Sequence, residues 1–228
     1  MNKENNLNIL AIDTSSSSLK LGLSFGSDRL VKSEEIVEKS HGQLIIKKIN
    51  ELFQSAYLPK ENLNTIVVSL GPGSFTGLRI GIAVAKGIAV ALNIPVVGLN
   101  LFEIASFKLR SRKGKVSVIV PLKKDAYFMT EVFEGAYDEK RIRVVTDSYF
   151  SQDKIFPPLI GIGFDRAENF RSSNNKTVVE FINYDTSEMI YLGHQKLSSG
   201  MAEDLALIEP MYLQKSQAEI NFELRNRK

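Results

Sequence analysis

The 228-residue sequence contains no cysteine and no tryptophan, and only two histidines, His41 and His194. Without thiols there is no disulfide framework, no thiolate nucleophile and no cysteine-ligated zinc or iron–sulfur cluster. Two histidines so far apart in sequence offer no patterned metal-binding pair. An excess of one charge is missing too. The 29 Lys and Arg against 26 Asp and Glu leave +3, too little by itself to argue nucleic-acid binding. Residues 1–8 lack the apolar core of a signal peptide. The most apolar stretch, Ile80 to Phe102, is interrupted by Lys86, broken by Pro95 and punctuated by Gly81, Gly87 and Gly98. A buried helix followed by a strand fits it better than a membrane span, and a cytoplasmic protein is the expectation.

What is present is a globular composition, 43% apolar and 24% charged. The length suits one generous core or two small domains sharing an interface. Leu7–Ile12 is a near-continuous apolar run of the central-strand kind, Leu19, Leu21 and Leu23 alternate, and Leu30–Val37 reads as a third strand, giving an antiparallel opening. Ser40 and Gln43 then form a capping-box pattern before Ile45, Ile49, Leu52, Phe53 and Ala56, an amphipathic helical stripe.

Thr65–Leu70 reads as a strand and Leu78–Leu92 as a helix apolar on nearly every side, with Gly77, Gly81, Ala85 and Ala89 as a small-residue stripe. Pro95–Leu99 and Leu101–Leu109 follow as strand and helix. A second cycle contains strands at Val116–Val120, Ala126–Phe133, Ile142–Thr146, Leu159–Ile162 and Thr177–Ile182. Its helices are expected near Arg166–Arg171 and at Ser187–Leu197. The layout is two α/β halves meeting near residues 108–115, and the last twenty residues read as an extended or frayed tail.

Two segments could carry chemistry. Asp13-Thr14-Ser15-Ser16-Ser17-Ser18 lies at a strand-to-strand turn. Its hydroxyls and N–H groups can face phosphate oxygens, with the aspartate holding magnesium through water. The same side chains equally satisfy their own backbone in a β-turn. The loop Gly71-Pro72-Gly73-Ser74-Phe75-Thr76-Gly77 joins strand to helix. It is either an anion site at a helix N-terminus or a tight turn with close helix packing. It is not a Walker A loop, since Leu78 and Arg79 follow the last glycine, and it matches neither the dinucleotide fingerprint nor the nucleophile elbow. His41 and His194 read as capping or packing residues. Lys108, Arg110, Arg112, Lys113 and Lys115 fall within eight residues, as a solvated loop or as an RNA-contacting patch.

Ile9–Ser18, the Ser40-His41 helix start and above all the run from Gly71 to Ser106 resemble the TsaB (YeaZ) family. The likeness covers most of the first 107 residues, and Glu209-Pro210 with Tyr212-Leu213 add to it near the end. The resemblance implies an actin/Hsp70-like (ASKHA) α/β fold of two βββαβα halves, here 1–107 and 108–228, with a late helix returning to the first. It implies a non-catalytic subunit in the synthesis of threonylcarbamoyladenosine at position 37 of tRNA. The helices 42–57 and 78–92 would then present Ile45, Ile46, Ile49, Phe53, Leu78, Ile82, Ala85 and Ala89 to the catalytic subunit TsaD (YgjD), or to a second copy in a homodimer. The ATPase TsaE would join the heterodimer, and the basic run 108–115 would be the tRNA contact. No cofactor or metal is expected of the chain alone. ATP or ADP contact would arise only within the complex, with Asp13, Thr14, Ser15, Gly71, Gly73 and Ser74 as phosphate-binding candidates.

TsaD follows its glycine loop with V-N-H-x-x-G-H, a metal-binding histidine pair. The matching segment here is Leu99-Asn100-Leu101-Phe102-Glu103-Ile104-Ala105, so Leu101 and Ala105 stand where the histidines would be. The sequence departs from its relatives in two further places. Pro121-Leu122-Lys123 replaces an Asp-Ala-Arg motif, and Ser15 stands where nucleotide-binding members of the superfamily have glycine. Two competing readings are an actin-like sugar or acetate kinase, with Asp125 or Asp165 as its further acid, and a metallopeptidase.

Overall fold

The computed structural model describes residues 7–37, 41–150, 157–164 and 179–213. The Ser40 cap, Asp165, the helix expected at 166–171 and most of the expected tail lie outside these residues, as does the side chain of His41.

Strands β1 (Ile9–Asp13), β2 (Ser18–Phe25), β3 (Arg29–Ile36), β4 (Thr65–Gly71) and β5 (Val96–Asn100) form one sheet in the order β3-β2-β1-β4-β5. The β1–β2 and β2–β3 pairs are antiparallel, and β1–β4 and β4–β5 are parallel. Every residue of β1 is buried. Its alternating side chains serve two cores, as the twofold strand period requires. Leu10 and Ile12 face helices α1 (His41–Ala56) and α2 (Phe75–Leu92), while Ile9 and Ala11 face α3 (Leu101–Leu109) and α5 (Thr186–Ser198).

The second sheet is built from β6 (Lys115–Lys123), β7 (Ala126–Phe133), β8 (Ala136–Tyr137), β9 (Arg143–Thr146), β10 (Leu159–Gly161) and β11 (Val179–Phe181). Read as β9-β7-β6-β10-β11 it repeats the order of the first sheet, with two antiparallel pairs followed by two parallel ones. The short hairpin strand β8 is an addition to the edge of β7. A four-residue helix, α4 (Asp147–Phe150), closes the far face through Phe150 beside Tyr127. Two sheets of the same topology in one α/β chain make this the actin/Hsp70-like arrangement that the resemblance implied.

Helix α5 belongs to the second half by chain position, yet it packs on β1, β2, β4 and β5 of the first sheet. Two glycines make this possible. A methyl group on Gly22 would lie 2.3 Å from Thr186 Oγ1, and one on Gly193 would lie 2.2 Å from Val67 Cγ2. Residues 201–213 continue along the first sheet. Glu203 bridges to Val96, its Oε1 accepts from Gly98 N–H at 3.2 Å, and Lys196 Nζ donates to Gly98 O at 2.9 Å. The outer edge of β5 is thereby occupied by the backbone and side chain of Glu203 and by Lys196, which protects it from pairing with another strand.

Candidate functional site

The β1–β2 turn and the glycine loop come together, as a phosphate site would require, but they close on each other. Ser74 N–H donates to Ser15 O at 2.6 Å. A methyl group on Gly73 would sit 2.2 Å from that same oxygen, and one on Gly77 would sit 2.1 Å from Thr14 O. The glycines are there because another backbone fills the space where side chains would be. Gly71 adopts φ +94°, a left-handed conformation that favours glycine. Ser74 caps α2 by accepting from Gly77 N–H at 3.2 Å, so the helix begins at Phe75, three residues before the start expected from the sequence.

Asp13 is fully buried. Its Oδ1 accepts from Ser15 N–H at 2.9 Å and its Oδ2 from the Tyr184 hydroxyl at 2.6 Å. Ser15 Oγ lies 3.3 Å from the same hydroxyl. Burial, the Asp13 charge and the hydrogen bond to it push the Tyr184 phenol well above its ordinary range, so it remains a donor. Lys20 lies 3.9 Å over the Tyr184 ring and donates to Tyr184 O at 3.2 Å. Of the six phosphate-binding candidates, Asp13, Thr14 and Ser15 are buried against the loop, Gly71 is buried at its start, and Gly73 and Ser74 lie exposed at its tip. The Asp13 carboxylate, Ser15 N–H and O, and Ser74 N–H are spent on one another and on Tyr184, whereas the buried Thr14 Oγ1 has no hydrogen-bond partner among the described residues. Tyr184 and Lys20 escaped the sequence reading because no local spacing ties Tyr184 to Asp13, 171 residues away.

The open space lies beside this cluster. A polar cleft of about 490 Å³ between the two sheets is lined by Ser16, Ser18, Lys20, Lys108, Asp185 and Glu188, among others. Its walls are charged but internally paired, through Lys108–Glu188, Lys32–Asp185 at 2.7 Å and Lys20–Glu34 at 3.8 Å. Burial opposes charge on Asp185, but Lys32 and the Ser187 hydrogen bonds outweigh it and hold the carboxyl down at about 2. The same pairing disposes of much of the basic run. Lys108 is bound to Glu188, Arg112 to Glu180 at 2.6 Å and Lys115 to Glu131 at 3.1 Å, while Arg110 stacks 3.9 Å over Phe107.

The eight residues proposed for a partner surface divide sharply. Ile45, Ile49, Phe53, Leu78, Ile82, Ala85 and Ala89 are buried against the chain's own first sheet, and Ile46 alone is exposed. The outward faces of α1 and α2 carry other residues. Phe75, Arg79, Ala83, Gly87 and Val90 lie along α2, with Val90 70% exposed. Arg79 packs 3.9 Å over the Phe75 ring and its Nε donates to the Tyr212 hydroxyl at 3.1 Å. By length and composition α2 could cross a membrane, but its inner face is packed on β4 and β1.

Leu101 and Ala105 are buried at the start of α3, whose N-terminus is closed by the reciprocal Asn100–Glu103 capping box. His194 is half-buried on α5. Asp125 sits at the β6–β7 turn with φ +59°, close enough to Asp147 that burial and the second carboxylate raise the latter's pKa. Among the described residues no three His, Cys, Asp or Glu side chains converge as a metal site would require.

Residues 33–133 match the family model described as TsaD, tRNA N6-adenosine threonylcarbamoyltransferase. The Bacillus subtilis tRNA threonylcarbamoyladenosine biosynthesis protein TsaB is 26% identical over a match covering 93% of this chain and 96% of that one. The Haemophilus influenzae TsaB is 29% identical, and there the match covers 57% of this chain and only 56% of the relative. The solved structure of YeaZ from Pseudomonas aeruginosa superposes with a TM-score of 0.68 at 21% identity, covering 91% of this chain and all of that one, a likeness of fold.

Proposed function

The chain belongs to the TsaB (YeaZ) family, and from that premise we propose that it is a non-catalytic subunit of the machinery making threonylcarbamoyladenosine on tRNA. One observation carries the proposal. Residues 33–133 match the TsaD family model, yet the two positions where the resemblance expects metal-binding histidines hold Leu101 and Ala105, both buried in the core. The segment is similar in sequence to a catalytic family and lacks the histidines that the resemblance expects there. Such a subunit acts by binding a partner and stabilising that partner's active conformation.

The partner in this reading is TsaD, met by the outward faces of α1 and α2. Ile46, Phe75, Arg79 and Val90 supply exposed apolar and aromatic area with one guanidinium, the composition that anchors interfaces. TsaE joins the heterodimer, and in TsaD's absence two copies pair through the same faces. The chain needs no cofactor of its own. Any tRNA contact near 108–115 is carried by Arg110 and Lys113 more than by the ion-paired Lys108, Arg112 and Lys115. Calorimetric titration of the purified chain with TsaD tests the reading. A one-to-one complex of micromolar or tighter affinity is expected, and no detectable heat or co-elution at tens of micromolar would reject it.

A further inference from the structure

Four hydrogen bonds run in series from the place where the chain crosses back to the first sheet, residues 182–185, to the start of α2. The Tyr184 hydroxyl donates to Asp13 Oδ2 at 2.6 Å, and Asp13 Oδ1 accepts from Ser15 N–H at 2.9 Å. Ser15 O accepts from Ser74 N–H at 2.6 Å, and Ser74 Oγ accepts from Gly77 N–H at 3.2 Å. The crossover itself is pinned on its flanks. Lys20 Nζ holds Tyr184 O, and Lys32 holds Asp185 at 2.7 Å. The chain's other crossing, between α3 and β6, is fastened beside it through Lys108–Glu188 and Arg112–Glu180.

We propose that this relay couples the seating of the 182–185 crossover, and with it the cleft between the sheets, to the presentation of α2 toward a partner. The coupling rests on the reading of α2 as partner surface. The physical reason is lack of slack. Gly73 and Gly77 lie against the carbonyls of Ser15 and Thr14 so closely that a methyl would stand 2.2 and 2.1 Å from them, so the turn cannot shift without moving the loop that starts the helix. Buried Asp13 has no donors other than Ser15 N–H and Tyr184 among the described residues. Removing the phenol hydroxyl leaves Oδ2 unsatisfied inside the protein, and the turn must loosen to admit water. Coupling of this kind is reciprocal, so a partner seated on α2 tightens the crossover as much as a seated crossover favours the partner.

Hydrogen exchange followed by mass spectrometry on wild type and Tyr184→Phe, with and without TsaD, tests the link. In the chain alone, Tyr184→Phe should speed exchange at Ser15 and Ser74 by about tenfold or more, the worth of a hydrogen bond to a charged acceptor. Amides of the β6–β7 pair should keep their rates. TsaD should slow exchange at 182–185 in the wild type, and Tyr184→Phe should weaken TsaD binding by roughly fivefold or more. Lys32→Gln, which alters only a surface ion pair, should shift both readouts the same way by less. Unchanged exchange at Ser15 and Ser74, or faster exchange everywhere, overturns the relay. Faster exchange there with unchanged TsaD affinity overturns the coupling while the partner reading stands. Failure of the wild type to bind TsaD overturns the partner reading and the coupling with it.

Discussion

Gly77 shows how much single residues decide here. Its missing side chain admits Thr14 O, and the same glycine donates the N–H that Ser74 caps. Gly77→Ala should therefore destabilise the chain by about 1–3 kcal/mol through overpacking, read as a lower urea midpoint with an unchanged slope. Gly87→Ala on the same helix, where a methyl meets nothing within 4 Å, should be neutral or stabilising. Asp185 gives a prediction of a different kind. Its pKa lies below the ordinary value when folded, so the stability it contributes is present above pH 4 and lost as pH falls through about 2. A urea midpoint measured from pH 5 down to 2 should decline less steeply in Asp185→Asn than in wild type. Equal slopes would mean that the Lys32 pair contributes nothing to the acid limb.

At the scale of elements, the periodicities were enough to place most strands and helices, and Leu101–Leu109 and Ala126–Phe133 agree with the sequence to the residue. Helix α2 begins early because its cap, Ser74, is embedded in the glycine loop and reads as loop until the Gly77 bond is seen. The same helix defeated the choice of interface residues for a physical reason. A helix apolar all round gives no contrast between the face that meets its own sheet and the face left outward, and the small-residue stripe at Gly77, Gly81 and Ala85 serves Thr14 and the core. Two substitutions separate the faces. Ala85→Arg places a charge in the first core and should unfold the chain, whereas Val90→Arg should leave the circular dichroism and urea midpoint within about 0.5 kcal/mol of wild type. Val90→Arg should still weaken TsaD binding at least tenfold; undiminished binding would move the partner off this face.

For the molecule as a whole, the two-half layout was legible because a second cycle of strands follows the basic run, while the shared antiparallel-then-parallel order is a finding of the structure. The resemblance also implied that a late helix returns to the first half, but the contacts that seat it were not legible. That α5 lies on the first sheet depends on Gly22 and Gly193 fitting Thr186 and Val67, pairs separated by more than a hundred residues with no local signature. For the same reason Tyr184 was invisible as a partner of Asp13, and the basic run 108–115 looked freer than its acidic partners Glu188, Glu180 and Glu131 leave it. In the proposed role this chain is a companion of a catalytic subunit. The most direct test of that role is reconstitution of threonylcarbamoyladenosine synthesis from tRNA, threonine, bicarbonate, ATP, the adenylate-forming enzyme, TsaD and TsaE, omitting one protein at a time. Modified tRNA should appear only when this chain and TsaD are both present. Full modification without this chain, or any modification by it when TsaD is left out, would contradict the account.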